Sequence, residues 1–106
     1  MLRVKFRPLL TGKEARLRAW LAELNDRAEG VRATFEDETV RAEQAFIINS
    51  ADGAVLVYVM EAADFEQGAI AFKNSQHPID AEHRAVMREC LGARLDVRPL
   101  YDVSAS

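Results

Sequence analysis

Ala54-Val55-Leu56-Val57-Tyr58-Val59-Met60 is the longest apolar run in the chain, and the way it is covered decides the fold. It is apolar at both parities, the pattern of a central strand enclosed on both faces. We read a strand over Ala54 to Glu61. Just upstream, Ser50-Ala51-Asp52-Gly53 places an Asp-Gly pair between two β-rich runs, which is a hairpin signal. Its partner strand is Val40 to Asn49. The N-terminal stretch Leu2 to Pro8 alternates strictly, Leu2, Val4 and Phe6 at one parity and Arg3, Lys5 and Arg7 at the other, so it is a strand with unlike faces.

Between these strands lies a helical pattern. Thr11-Gly12-Lys13-Glu14 has the spacing of a capping box. Leu17, Trp20, Leu21, Leu24, Ala28, Val31 and Phe35 then form one apolar stripe. The spacing predicts a helix from Lys13 to Asp37, with Gly30 kinking or dividing it. Glu14–Arg18, Glu23–Arg27 and Arg32–Glu36 are i,i+4 pairs on its wet side. Beyond the third strand, Asp64 caps a short helix whose stripe is Phe65, Gly68, Ala69 and Phe72. Ser75-Gln76-His77-Pro78 interrupts it. A further helix runs from Ile79 to Leu91 and stops at Gly92, read as a C′ glycine. Leu95, Val97, Pro99, Tyr101 and Val103 share a parity, giving a last strand from Arg94 to Val103.

The element order is therefore βαββαβ, a ferredoxin-like α+β pattern. It implies a four-stranded antiparallel sheet in the order 4-1-3-2 with the helices on one face. One helix layer leaves the other face of the third strand bare. A homodimer with its sheets packed face to face is the expected remedy.

Composition bounds the function. The 106 residues make one domain, residues 1–106, 49% hydrophobic and 29% charged, as in a folded globular protein. Fourteen basic and seventeen acidic residues leave a net charge of −3, so no overall field draws the chain to nucleic acid or an anionic membrane. Cys90, the single cysteine, has no internal disulfide partner. No signal-peptide pattern is present, and the longest apolar run is far below the roughly 18–20 residues of a transmembrane helix. A cytoplasmic location is expected.

Several segments carry a family resemblance: Thr11-Gly12-Lys13-Glu14 with Trp20-Leu21, Tyr58-Val59-Met60-Glu61, Ser75-Gln76-His77-Pro78-Ile79-Asp80-Ala81-Glu82-His83, and Pro99-Leu100-Tyr101-Asp102. On these the chain resembles the dimeric α+β barrel superfamily and, within it, an uncharacterised bacterial family with a domain of unknown function. The resemblance implies a fold and a dimer, and no activity. A more distant likeness is to sugar mutarotases of the same barrel, which place a catalytic histidine on the first helix. Here that helix has none, because His77 and His83 are the only histidines.

His77, Asp80 and His83 are the densest titratable group. Asp80 and His83, three apart on a helix, sit about 60° apart, so a carboxylate can orient an imidazole for acid–base work. Against this, His83 shares a stripe with Ile79, Val86 and Cys90, the place of a core histidine. As metal ligands the two histidines point about 120° apart, so no metal site is expected. The second group is Arg3, Lys5 and Arg7 with Arg98 and, across the sheet, Glu43. With Leu2, Val4 and Phe6 facing the helices, those charges would line the space between two sheets and suit a polar or anionic ligand. Tyr58 and Tyr101 are further polar candidates. There is no Gly-rich phosphate loop, nucleophile elbow or CxxC pair, and no cofactor is expected. Three functions follow from these residues: binding of a small polar or anionic molecule, cofactor-independent acid–base catalysis of an isomerase or mutarotase-like kind by His77, Asp80 and His83, or a dimerisation module without a ligand.

Overall fold

The computed structural model describes residues 1–105, in the order β1 (Leu2–Pro8), α1 (Glu14–Asp26), α2 (Ala28–Glu38), β2 (Val40–Ser50), β3 (Gly53–Ala62), α3 (Phe65–Asn74) and α4 (Pro78–Cys90). The strands form one antiparallel sheet in the order β1-β3-β2. The molecule measures 38 × 37 × 22 Å. A thickness of 22 Å is that of one sheet and one layer of helices.

Strand register determines which face the helices cover. Lys5 lies opposite Tyr58 and Arg7 opposite Leu56, while Ala45 and Ile47 flank the same two residues from β2. Directly opposed residues share a face. Leu56 is packed with Leu17 and Trp20 of α1 and with Ile79, Val86 and Cys90 of α4, so this is the covered face. Arg3, Lys5 and Arg7 therefore point toward the helices, and Leu2, Val4 and Phe6 point away. The expectation for β1 was the reverse. Burial of Leu17 and Leu56 contributes about 1.5–3 kcal/mol each. A second cluster, Val40, Ala62 and Phe65, closes the sheet end beside α3.

The hairpin forms as its sequence predicts. Gly53 takes φ 118°, and the Ser50 hydroxyl donates to the Gly53 carbonyl while accepting from the Asp52 amide. Asp64 caps α3 by accepting from the Gln67 amide at 3.0 Å. The long first helix is broken, though at Arg27 and not at Gly30. The Arg27 guanidinium is drawn to Glu23 and Glu82, and its backbone leaves the helical region at φ −111°, ψ 31°. Gly30 instead lies 3.3 Å, measured from a built Cβ, from the tip of Ile79. The capping box does not form, since Glu14 is taken by Arg18 at 2.8 Å. Arg32 pairs with Glu29, not Glu36.

The four-stranded ferredoxin-like sheet, and with it the βαββαβ barrel reading, is overturned. After α4 the chain forms no strand among the described residues; it meets β1 and the residue after it through isolated bridges, Leu91 with Leu9 and Leu95 with Phe6, and through Gly92. Gly92 is no C′ glycine with a left-handed backbone; its amide donates to the Pro8 carbonyl, and Arg7 donates to its own carbonyl. The physical reason lies in the register. Continuing the Phe6–Leu95 pairing sets Pro99 opposite Leu2, and proline has no N–H for the ladder. Residues 96 to 103 are exposed instead.

β3 is not covered on both faces either. Val55, Val57 and Val59 lie on the face without helices, and only Val57 is buried there, flanked by Phe6 and Phe46.

Candidate functional site

Between the sheet and the helix layer lies a cavity of about 410 Å³, within the usual range of small-molecule sites. Its apolar wall includes Leu24, Val31, Phe35, Phe65 and Phe72, and its floor is Leu56, Tyr58 and Met60 of β3. Charged groups of both signs line it: the carboxylates of Glu38, the last residue of α2, Asp80, in the first turn of α4, and Glu43 of β2, and the cations Lys5 of β1, Arg88 of α4 and Arg94 just past α4.

His83 faces inward from α4 and is held at both ring nitrogens. The Trp20 indole Nε1 donates to Nδ1 at 2.8 Å, and Nε2 lies 3.0 Å from the Tyr58 hydroxyl. An Nδ1 that accepts carries no proton. The neutral ring therefore holds its proton on Nε2 and donates it to the Tyr58 oxygen. That leaves the Tyr58 proton for another acceptor, beside the cavity. Edge contacts from Phe72 and Tyr58 complete the ring's surroundings. Burial holds His83 down to about 4, with Asp80 pulling the other way, so the ring is neutral near pH 7. Burial, with Glu43 and Glu38 adding to it, pushes the Tyr58 hydroxyl well above the ordinary range.

The carboxylates are the strained part of the site. Glu38 and Asp80 are only 7% and 6% exposed, yet Glu38 Oε2 and Asp80 Oδ2 are buried without a hydrogen-bond partner. Such atoms carry the full cost of lost hydration, about 1–3 kcal/mol and more when charged. Burial raises the Glu38 carboxyl, a hydrogen bond with Thr34 opposes it, and Asp80 and Asp37 add to the rise. Glu43 is pushed up to about 7, chiefly by burial and then by Glu38 and Asp80, while Lys5 partly opposes the shift. Burial lowers the Lys5 ammonium, Arg94 and Arg3 lower it further, and Glu43 opposes them.

Of the residues singled out from sequence, Lys5, Arg7, Glu43, Tyr58, Asp80 and His83 all border this one cavity. Arg7 is committed to the Gly92 carbonyl. The cavity lies on the helix side of the sheet, not between two sheets. Arg3 stacks on Phe65, 4.4 Å from the ring centroid. Arg98 is exposed beside Asp96, and Tyr101 is 84% exposed, so neither reaches the cavity. His77 begins α4 and turns away to Asp37 at 3.3 Å. The expected Asp80–His83 pair does not form, because Trp20 and Tyr58 occupy the imidazole. Glu38 was missed, although the sequence held a signal: it continues the α2 stripe Val31, Phe35 as a lone carboxylate on an apolar face. Among the described residues no group of three or more His, Cys, Asp or Glu is arranged to hold a metal ion. No helix among them is long and apolar enough to cross a membrane.

Fold and site together define an α+β protein with a charged, partly apolar cavity between one antiparallel sheet and its helices. The chain belongs to a family of unknown function (DUF6176), whose model matches residues 2–104. No curated protein and no solved structure matches it.

Proposed function

We propose that this protein is a homodimer that binds a small polar molecule in the cavity between sheet and helices. One observation carries the binding reading: Glu38 and Asp80 both line the cavity, and each has a buried carboxylate oxygen without a hydrogen-bond donor. Buried polar atoms are nearly always partnered, and a ligand supplies the missing donors. The Tyr58 hydroxyl, its oxygen already accepting from His83, adds a donor for the ligand's acceptor. Dimerisation follows from the uncovered sheet face, where Leu2, Val4, Phe46 and Ile48 are exposed.

The test is NMR chemical-shift mapping with a library of small polar compounds. Binders should perturb His83, Phe72 and the β3 residues around Tyr58, and Tyr58→Phe should weaken them about tenfold. Compounds that perturb only the open sheet face, or none at all, sink the binding reading.

A second reading, acid–base catalysis without a cofactor, is favoured by Glu43. A carboxyl held at about 7 beside a cavity is poised to take and give a proton near neutral pH. His83, bound at both nitrogens, then positions Tyr58, and His77 lies outside the site. Turnover of any bound compound that survives Glu43→Gln unchanged excludes this assignment.

A further inference from the structure

The binding reading leaves the ligand's chemistry open, but the charged lining of the cavity constrains it. Carboxylates from α2, β2 and α4 line it together, and Glu38 and Asp80 both raise Glu43 while Lys5 partly offsets them. Neutral hydroxyls would fill the empty lone pairs of Glu38 Oε2 and Asp80 Oδ2 while leaving the mutual repulsion in place. A cation does both. Phe35 stands along the same cavity as a π surface for an ammonium group, whereas Phe65 and Phe72 already carry Arg3 and Arg84. A metal ion is a poor fit, for want of a ligand cluster among the described residues.

The cations of the lining have the complementary property. Arg7 and Arg84 are spent on backbone carbonyls, of Gly92 and of Phe72 and Ser75. Lys5 and Arg94 repel each other, with Glu43 offsetting part of the effect on Lys5, and neither has a hydrogen bond or ion pair among the described residues. An anion there would relieve that repulsion.

We propose that the ligand is a short zwitterion, its ammonium group set against Glu38 and Asp80 and its anionic group against Lys5 and Arg94. The proposal rests on the binding reading and narrows it. It also has a proton signature. An ammonium beside Glu43 favours the ionised carboxylate, so binding near pH 7 releases a proton, which a neutral polyol or an anion does not cause.

Isothermal titration calorimetry with four probes tests this: 5-aminopentanoate, pentylamine, pentanoate and sorbitol. Measurement near pH 7 in two buffers of different ionisation enthalpy reads the proton. We expect 5-aminopentanoate to bind tightest, at millimolar concentration or below, and to release a proton. Asp80→Asn and Glu38→Gln should each weaken it about tenfold or more, and Lys5→Met should reduce it to the level of pentylamine. Circular dichroism establishes that each variant is folded, and the wild-type probe ranking decides the question if one is not. If pentanoate or sorbitol binds as tightly as the zwitterion, the cavity is a site but the ligand class is wrong. If none of the four binds, both this assignment and the zwitterion's cavity are overturned; a library hit at Tyr58 would still leave the broader binding reading standing.

Discussion

A histidine whose two nitrogens are both engaged has little freedom to act as a base, and His83 shows how a neighbour sets that state. The Trp20 indole only donates, so its bond to Nδ1 fixes the neutral tautomer with its proton on Nε2. Long-range proton–nitrogen NMR should find that tautomer near pH 7, and an Nδ1-protonated ring would undo the argument that Tyr58 donates into the cavity. The two perturbed groups give opposite pH dependence. An unfolded histidine takes up its proton near 6.5, but His83 in the fold does so only near 4. Between those values the unfolded state binds the extra proton, so stability falls as the pH drops from 6.5 to 4. Glu43 holds its proton up to about 7, against 4.5 in the unfolded chain, so its contribution is lost as the pH rises from 4.5 through 7. Urea unfolding across this range should therefore show Glu43→Gln flattening the upper slope and stabilising the protein above pH 7 by roughly 1–2 kcal/mol, with allowance for partial exposure. His83→Gln should flatten the lower slope. An unaltered upper slope in the Glu43 variant would mean the carboxyl ionises freely in the cavity.

Helix contacts set the cavity's shape, and one glycine shows how tightly. A Cβ built on Gly68 of α3 would lie 2.6 Å from the Glu38 carbonyl at the end of α2. A backbone neighbour cannot swing aside, so Gly68→Ala must push α3 from α2 at a cost of roughly 1–3 kcal/mol, read as a lower urea midpoint. A variant as stable as wild type would show that the two helices slide freely. Asp64→Ala, which removes the α3 cap without crowding, should cost about 1 kcal/mol. Much of this layer was legible in the sequence. The Asp52-Gly53 turn, the Asp64 cap and the break at Ser75-Gln76-His77-Pro78 follow from local chemistry and occur where that chemistry lies. The orientation of β1 was not legible, because alternation yields two faces without saying which one meets the helices. Its apolar row looked like core, yet the sheet has apolar rows on both sides. Only the pairing of Lys5 with Tyr58 and Arg7 with Leu56 decides between them. The site was half legible for the same reason: charges on β1 and β2 were identifiable, but their convergence with α4 depended on register.

At the scale of the whole molecule, the open sheet face is the largest unresolved demand on the fold. Leu2, Val4, Phe46 and Ile48 are 44–71% exposed there, on a surface made from three strands. Three strands give a flat footprint about 15 Å wide and about 25 Å long, or roughly 400 Å². A stable interface needs about 800 Å² per partner, so the sheet face is small for the task on its own. The segment after α4 supplies more, for Leu95, Val97, Leu100, Tyr101 and Val103 are all exposed and begin at the β1 edge of that sheet. In the proposed dimer this arm extends the interface beyond the strands. Phe46→Glu sets a charge on the open face without touching the cavity side, and it should convert the dimer to monomer in light scattering. Truncation after Leu95 should weaken the dimer at least tenfold while leaving the sheet face able to associate at high concentration. A wild-type chain that stays at the 11.9 kDa mass of one copy at high concentration would refute the dimer. Dimer stability unchanged by the truncation would instead confine the interface to the strands and leave the arm to another role.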